Sequence, residues 1–357
     1  MPNDYNVSRT LRRWYDTHRR ALPWRDTRDP YRIWISEVIL QQTRVAQGMD
    51  YYHRFLERFP DVRALADAAE QDVLRLWQGL GYYSRARNLH AAARDVRDRF
   101  GGRFPTDYAD VRSLSGIGDY TAAAIVSFAT GAPYAAVDGN VLRVIGRLFA
   151  IDTPTDTSAG RRLYNDLARS LLPPDHAGTH NQAIMEFGAL QCVPRNPDCS
   201  VCPLVARCAA HAAGTPERFP VKQHRTKTVD RYFHYFYVTT GDALFLHRRP
   251  AGDIWQGLFE LPLIETSAPA DLDALMGTDD FRALFADTGS TQFALVAADV
   301  RHVLTHRILH ATCYLARIER PSEALLRLTH TSRADLDHYP LPRLITLLID
   351  RVHADGH

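Results

Sequence analysis

From residue 5 to about 212, apolar residues recur three and four positions apart; from about 231 they recur at every second position. A helix presents the same face every 3.6 residues and a strand every two, so a chain that changes period is two folding units. The helical stretches include VSRTLRRWYDTHRRAL, IWISEVILQQTRVAQGMDYYHRFLERF, DVLRLWQGL, ARNLHAAARDVRDRF, TAAAIVSFA and NVLRVIGRLFAI. Between the two regimes lies AGTPERFPVKQHRTKTVD, polar, aperiodic and carrying two prolines, which reads as a linker over 213–230. Beyond it RYFHYFYVTTGDALFLHRRP reads as a hairpin turning on Thr-Gly-Asp. DIWQGLFELPLIE and RHVLTHRILHATCYLARI read as strands, with a helical DLDALMGTDDFRALFADTG between them. The expected organisation is a mostly α unit over 1–212, a linker, and an α+β unit over 231–350.

The 357 residues are enough for two cores, and 45% hydrophobic with 24% charged residues is a globular composition. No apolar run approaches the ~20 residues of a membrane span, and MPNDYNVSRTLRRWYD lacks the apolar stretch of a signal peptide. A cytoplasmic protein with no membrane partner is expected. The net charge of +2 is uneven: residues 1–231 carry 32 basic against 25 acidic side chains, and the remainder 11 against 16. A basic first part suits a polyanionic partner. Only Lys222 and Lys227 are lysines, so almost nowhere can a lysine amine serve as a nucleophile.

Four of the five cysteines, Cys192, Cys199, Cys202 and Cys208, fall within CVPRNPDCSVCPLVARC; Cys313 stands alone in a strand pattern as an apolar filler. Clustered thiols in a cytosolic chain point to metal rather than disulfides. Structural zinc sites favour two tight Cys-x2-Cys pairs, and here Cys199 and Cys202 form one pair with wider flanking gaps. The spacing favours iron–sulfur, leaving zinc and free thiols as alternatives.

LSGIGDYTAAAIVSFA places Gly116 and Gly118 between two helical segments. Backbone amides at such a turn make an anion site. Glu37 has Ile33, Trp34, Leu40 and Gln41 as helical neighbours, an apolar setting that raises a carboxyl pKa and fits general acid work. Asp138, ahead of the helical GNVLRVIGRLF, is placed as an N-cap. One protonated and one ionised carboxyl are the apparatus for breaking a glycosidic bond.

The cysteine string resembles the [4Fe–4S] loop of the endonuclease III/MutY superfamily of DNA glycosylases. The Leu114–Ala129 stretch resembles that superfamily's helix-hairpin-helix, with Ser115 where proline is usual. LPWR, SEVILQQTRV, QGLGYYSRARNL and VDGNVLRV resemble the MutY branch of adenine DNA glycosylases, and WQGLFELP resembles the Nudix fold. The resemblance spans nearly the whole chain. It implies a helix-hairpin-helix glycosylase domain with a [4Fe–4S] cluster on the four cysteines, followed by a Nudix-like domain. The implied activity is monofunctional hydrolysis of adenine mispaired with 8-oxoguanine or guanine, on double-stranded DNA, by a monomeric, nucleoid-associated and bacterial enzyme.

Carried over by motif, Glu37 protonates the flipped adenine and Asp138 stabilises the sugar cation. Asn140 supports Asp138 and the attacking water, and Tyr120 sits beside them. Arg25 and Glu186 line the base pocket. Gln42 and Tyr82 wedge into the duplex, and Gly116 and Gly118 grip a phosphate. Thr305 and His306 lie in a lesion-reading loop that runs Leu304-Thr305-His306 where the family has Phe-Ser-His. Arg195 and Arg207 in the cysteine loop could face phosphate.

Three other functions compete. An endonuclease III-like lyase needs a lysine where Tyr120 stands, and a catalytically silent iron–sulfur DNA-binding module does not need both carboxylates. A Nudix pyrophosphatase needs the Arg-Glu-x-x-Glu-Glu run that SAPADLDALMGTDDFRALFADTG lacks.

Overall fold

The computed structural model describes residues 5–223 and 228–354. The chain forms two compact units, Met1–Asp67 with Asn88–Arg225 and Ala68–Arg87 with Thr226–His357. Its helices in the first three-fifths are α1 (Tyr5–His18), α2 (Pro30–Leu40), α3 (Val45–Arg58), α4 (Val62–Asp67), α5 (Glu70–Leu76), α6 (Ser84–Arg99), α7 (Tyr108–Arg112), α8 (Asp119–Thr130), α9 (Gly139–Leu148), α10 (Ser158–Leu171), α11 (Ala177–Leu190) and α12 (Ala209–Ala212).

The first unit is helical, as its periodicity predicts. Two helices are apolar on nearly every side and therefore sit inside. In α2 every residue from Tyr31 to Ile39 except Arg32 is buried, and in α8 every residue from Thr121 to Ser127 is. Pro30 at the first position and the Asp29 carboxylate, which accepts from the Tyr31 amide at 2.9 Å, fix the start of α2. A second core joins Leu11 and Trp14 of α1, Val144 and Ile145 of α9, Tyr164 of α10, and Ile184 and Phe187 of α11.

Three expectations are corrected. The stretch IWISEVILQQTRVAQGMDYYHRFLERF is two helices: the chain breaks at residues 41–44, where Gln42 takes a left-handed φ of 59°. Apolar spacing resumes in phase across the break, so periodicity alone could not reveal it. The segment 68–87 joins the second unit, where Arg87 Nη1 donates to the Gln256 carbonyl at 2.7 Å and Gln71 Nε2 to that of His338 at 3.3 Å. A helical pattern tells that a face is buried, not against what. The expected linker is bound along its first half: Phe219 is buried and the Thr155 amide donates to the Val221 carbonyl at 3.0 Å. Its residues 224–227 lie outside the described residues.

The second unit is built on a mixed sheet of β1 (Val229–Thr240), β2 (Ala243–Arg248), β3 (Phe259–Glu260), β4 (Leu263–Thr266), β5 (Thr291–Val303), β6 (Arg307–Ile318) and β7 (Thr329–Ser332). The order is β3-β2-β1-β6-β5, with β4 on β1 and β7 on β2; β1 and β6 run parallel and the other pairs antiparallel. Alternation along β1 sends Phe233, Tyr235 and Tyr237 to one core and Phe236 and Val238 to the other. α16 (Arg343–Ala354) covers the first face. The short α13 (Leu272–Met276), α14 (Asp279–Leu284) and α15 (Glu323–Leu326) cover the second. Cys313 is fully buried on the first face, as a filler should be. RHVLTHRILHATCYLARI is not one strand: it ends β5, turns at Leu304–His306 and forms β6, with the Leu304 amide donating to the Arg307 carbonyl at 2.8 Å. Alternation survives a tight turn, which hid it.

The α7–α8 link places its two glycines differently. Gly116 has φ 74°, and a Cβ there would meet Asn88 Cβ at 2.6 Å. Gly118 is the N-cap of α8 with φ −89°, and a Cβ there would meet nothing within 4 Å. Gly116→Ala is therefore expected to lower the melting temperature by about 4 °C or more. Gly118→Ser, which substitutes a good N-cap residue, is expected to leave it unchanged. Equal losses in a thermal melt would contradict this division.

Candidate active site

A cavity of about 880 Å³ in the first unit is lined by Arg25, Glu37, Gln42, Tyr120, Asp138, Asn140 and Glu186, so seven residues singled out from sequence share one wall. Glu37 hangs from the buried α2 with 8% of its surface exposed. The Tyr120 hydroxyl, one residue into α8, donates to Glu37 Oε2 at 2.6 Å. Burial pushes the Glu37 carboxyl up to about 7; the Tyr120 hydrogen bond opposes the rise, the charge of Asp138 adds to it and that of Arg25 opposes it.

Asp138 is the N-cap of α9. Its Oδ1 accepts from the Val141 amide at 2.7 Å and its Oδ2 from Asn140 Nδ2 at 2.7 Å. Burial raises its carboxyl, while these hydrogen bonds and the charge of Arg143 pull it back. Arg143, not singled out in the sequence, donates to Asn140 Oδ1 at 2.8 Å and to the carbonyls of Gly188 and Cys192 at 2.6 and 2.7 Å. It ties the Asp138–Asn140 pair to α11 and to the cysteine loop. The signal was an arginine three residues after Asn140, on the same helix face.

Glu186 on α11 is 1% exposed, and its oxygens are already held. Arg25 donates to both of them at 2.8 and 2.6 Å, and Arg20 does so at 2.9 and 2.5 Å. Burial alone would raise this carboxyl, but the two guanidinium groups hold it down at about 2. The pair thus forms a rigid wall rather than a set of free hydrogen-bonding groups. Arg20 is the partner that sequence reading missed; it sits in a run of arginines where nothing distinguishes the inward one.

Gln42 is exposed at the rim of this cavity. Tyr82, Thr305 and His306 line a separate cavity of about 530 Å³ within the second unit. There Tyr82, with φ 48° and 46% exposed, shares a hydrogen bond of 2.6 Å between its hydroxyl and that of Thr305. Gly116 and Gly118 stand outside both cavities at the hairpin, where Arg112 Nε donates to Asp119 Oδ1 at 2.6 Å and Nη1 to the Ile117 carbonyl at 2.9 Å.

Cys192, Cys199, Cys202 and Cys208 line one small cleft together with Arg147. Among the described residues no three His, Cys, Asp or Glu side chains converge tightly enough to hold a single ion. Arg147 is 2% exposed and organises the loop. It donates to the carbonyls of Val193, Pro194 and Pro216 at 2.7, 2.8 and 2.8 Å, and its Nη1 lies 3.3 Å from Cys192 Sγ. Burial pushes the Cys202 thiol up to about 11. Arg195 and Arg207 are exposed on the same loop.

Residues 35–168 match the HhH-GPD superfamily of base excision DNA repair proteins, and residues 234–351 match the NUDIX domain. An adenine DNA glycosylase of Buchnera aphidicola (subspecies Baizongia pistaciae) is 35% identical over 255 residues, which are 71% of this chain and 72% of that one. The chain belongs to the adenine DNA glycosylase family. A second member, from the Acyrthosiphon pisum subspecies, is 32% identical over 322 residues and 89% of each chain. A solved thermostable thymine-DNA glycosylase superposes with a TM-score of 0.55 at 30% identity, covering 58% of this chain and 97% of its own. As an adenine DNA glycosylase, the protein is a glycosidase of base excision repair that hydrolyses an N-glycosyl bond. No helix among the described residues is long and apolar enough to cross a membrane.

The buried setting of Glu37 predicts a carboxyl that titrates near pH 7, readable by NMR of ¹³C-labelled glutamate. Tyr120→Phe removes the hydrogen bond that favours the ionised form, so the midpoint should move to higher pH. A midpoint near the ordinary glutamate value would contradict the burial account.

Proposed function

We propose that this glycosylase removes adenine from duplex DNA where it is mispaired with 8-oxoguanine or guanine, and that it hydrolyses the base–sugar bond without cutting the strand. The observation that carries the reading is the pair of unlike carboxyls in one cavity. Near neutral pH a large fraction of Glu37 carries its proton, and Asp138, supported by Asn140 and the Val141 amide, is the group better suited to stay ionised.

Glu37 gives its proton to a ring nitrogen of the flipped adenine, which makes the base a neutral leaving group. As the bond to the sugar lengthens, positive charge grows on the sugar, and the Asp138 carboxylate stabilises it. Water completes the substitution; its oxygen bonds to the sugar carbon and its proton is taken up by the Glu37 carboxylate, which restores the acid. Asn140 holds Asp138 and helps to orient that water. Arg25 and Glu186, locked together with Arg20, form a wall of fixed shape around the base. Eversion costs a few kcal/mol and is cheapest for a mispaired base.

Strand cleavage would require an amine nucleophile. The first lysine in the sequence is Lys222, and Tyr120, at the lyase position, gives its hydroxyl to Glu37. The hairpin would hold a phosphate on the backbone amides around Gly118, whose Cα faces open space. Gln42 and Tyr82 would enter the base stack. Thr305 and His306, at the β5–β6 turn, would read the opposite base. Such an enzyme works as a monomer in the bacterial cytoplasm, on the nucleoid.

The cysteine cleft fits a [4Fe–4S] cluster. Four thiols line it without converging on one point, and the buried Arg147 guanidinium would offset the negative charge of the thiolates. Cys192, Cys199, Cys202 and Cys208 would be its ligands. When bound, the cluster would supply a structural cross-link for the loop rather than reaction chemistry.

The test is a strand assay on duplexes carrying adenine opposite 8-oxoguanine, guanine or thymine. Breaks should appear after alkali for the first two duplexes and remain near background for thymine. Abundant breaks before alkali would overturn the monofunctional reading, and equal release opposite thymine the mispair reading.

A further inference from the structure

Two aromatic residues in the second unit have backbones that bulky side chains rarely adopt, and both line its cavity: Tyr82 at φ 48° and Trp255 at φ 58°. A tryptophan in the left-handed region is disfavoured by its own Cβ, and such residues persist where the surroundings force them. The surroundings here are a built framework. Arg249 is 7% exposed; its Nε donates to the Ile254 carbonyl at 2.8 Å, and its amide donates to the Leu258 carbonyl at 2.9 Å. The guanidinium is fixed in turn by Glu260, fully buried, at 2.8 and 2.9 Å and by Asp253 at 2.5 Å. Arg231 grips the same Asp253 at 2.7 and 2.8 Å. Buried charges cost desolvation and are tolerated where each finds its partners, and they then fix one geometry. The geometry fixed is that of the 249–258 loop, which carries Trp255.

Trp255 does not disappear into the core. It is half-buried, packs with Leu304 against the sheet cluster, and meets the His302 ring edge-on at 6.0 Å and 63°. Leu304 stands at the first position of the turn whose Thr305 hydroxyl bonds Tyr82. That turn carries no aromatic side chain apart from His306, and Trp255 provides an aromatic ring on the neighbouring loop.

We infer that Trp255 is a base-contacting residue: its indole forms an aromatic wall of the cavity that Tyr82 and Thr305 also line, and the purine ring presented there packs against it. The ring is held by contact with a rigid aromatic surface, and the Thr305 hydroxyl supplies the polar contact. Arg249 acts through Trp255 as a positioning residue. This rests on the proposed reading of the second unit as the reader of the opposite base. The same planar ring could arrive in duplex DNA or as a free nucleotide, and the two sources are separable.

The experiment uses full-length protein with its cysteine loop intact. Binding is measured to duplexes carrying a non-cleavable adenine analogue opposite 8-oxoguanine or guanine, and to free 8-oxo-deoxyguanosine monophosphate. Trp255→Leu keeps apolar volume and removes the ring; Trp255→Phe restores a ring. Affinity for the 8-oxoguanine duplex is expected to fall about tenfold in the Leu variant, within the range of one base–aromatic contact. The Phe variant should stay within about threefold of wild type. An unchanged affinity for that duplex in the Leu variant would overturn the inference, as would an equal fall in both variants. Binding of the free nucleotide that weakens in the Leu variant would support the same ring contact with a nucleotide source. If wild type itself shows no preference between the duplexes, the reading of the second unit fails instead, which is a distinguishable result.

Discussion

The first unit is organised around a carboxyl group kept from water. Glu37 projects from a helix whose other side chains are almost all packed in the core, and one tyrosine hydroxyl is its hydrogen-bond donor there. Raising its pKa from 4.5 to about 7 costs about 3 kcal/mol of folding stability. The sign follows from linkage. The folded value lies above the unfolded one, so the folded state binds more protons between them, and stability falls as pH rises from about 4.5 to about 7. Above that the cost is constant. The apolar packing of α2 and α8 offsets it, and a proton available near neutral pH is what the fold obtains in return.

The other parts of the first unit serve the same centre. Asp138 caps α9, so helix geometry fixes a carboxylate beside the acid. Arg143 joins Asn140 to the backbone at Gly188 and Cys192, and Arg147, one turn further along α9, stitches the cysteine loop to the same helix. One helix thus links the Asp138–Asn140 pair to the cysteine loop. A cross-link in that loop would stiffen α9 from outside the cavity, a structural role that requires no redox change.

Much of this was legible in the residues. Ile33, Trp34 and Leu40 around Glu37 indicated its burial, and Asp before a helix indicated the cap. The alternating aromatics of β1 indicated a strand, and six of its consecutive residues, Phe233 to Val238, are buried because both faces are covered. What was hidden depends on long-range choices. The break at Gln42 and the turn at Leu304–His306 preserve the local period. The inward turn of Arg20 depends on Glu186, which is 166 positions away. The docking of 68–87 is decided by carbonyls of the second unit.

The most direct test is Glu37→Gln, which keeps shape and burial and removes the acid. The variant should bind the duplex containing adenine opposite 8-oxoguanine with near wild-type affinity, and single-turnover base release should fall at least a thousandfold. It should also lose the dependence of stability on pH between about 4.5 and 7 that the acid imposes. Base release within tenfold of wild type would contradict the account, because the proton would then come from elsewhere.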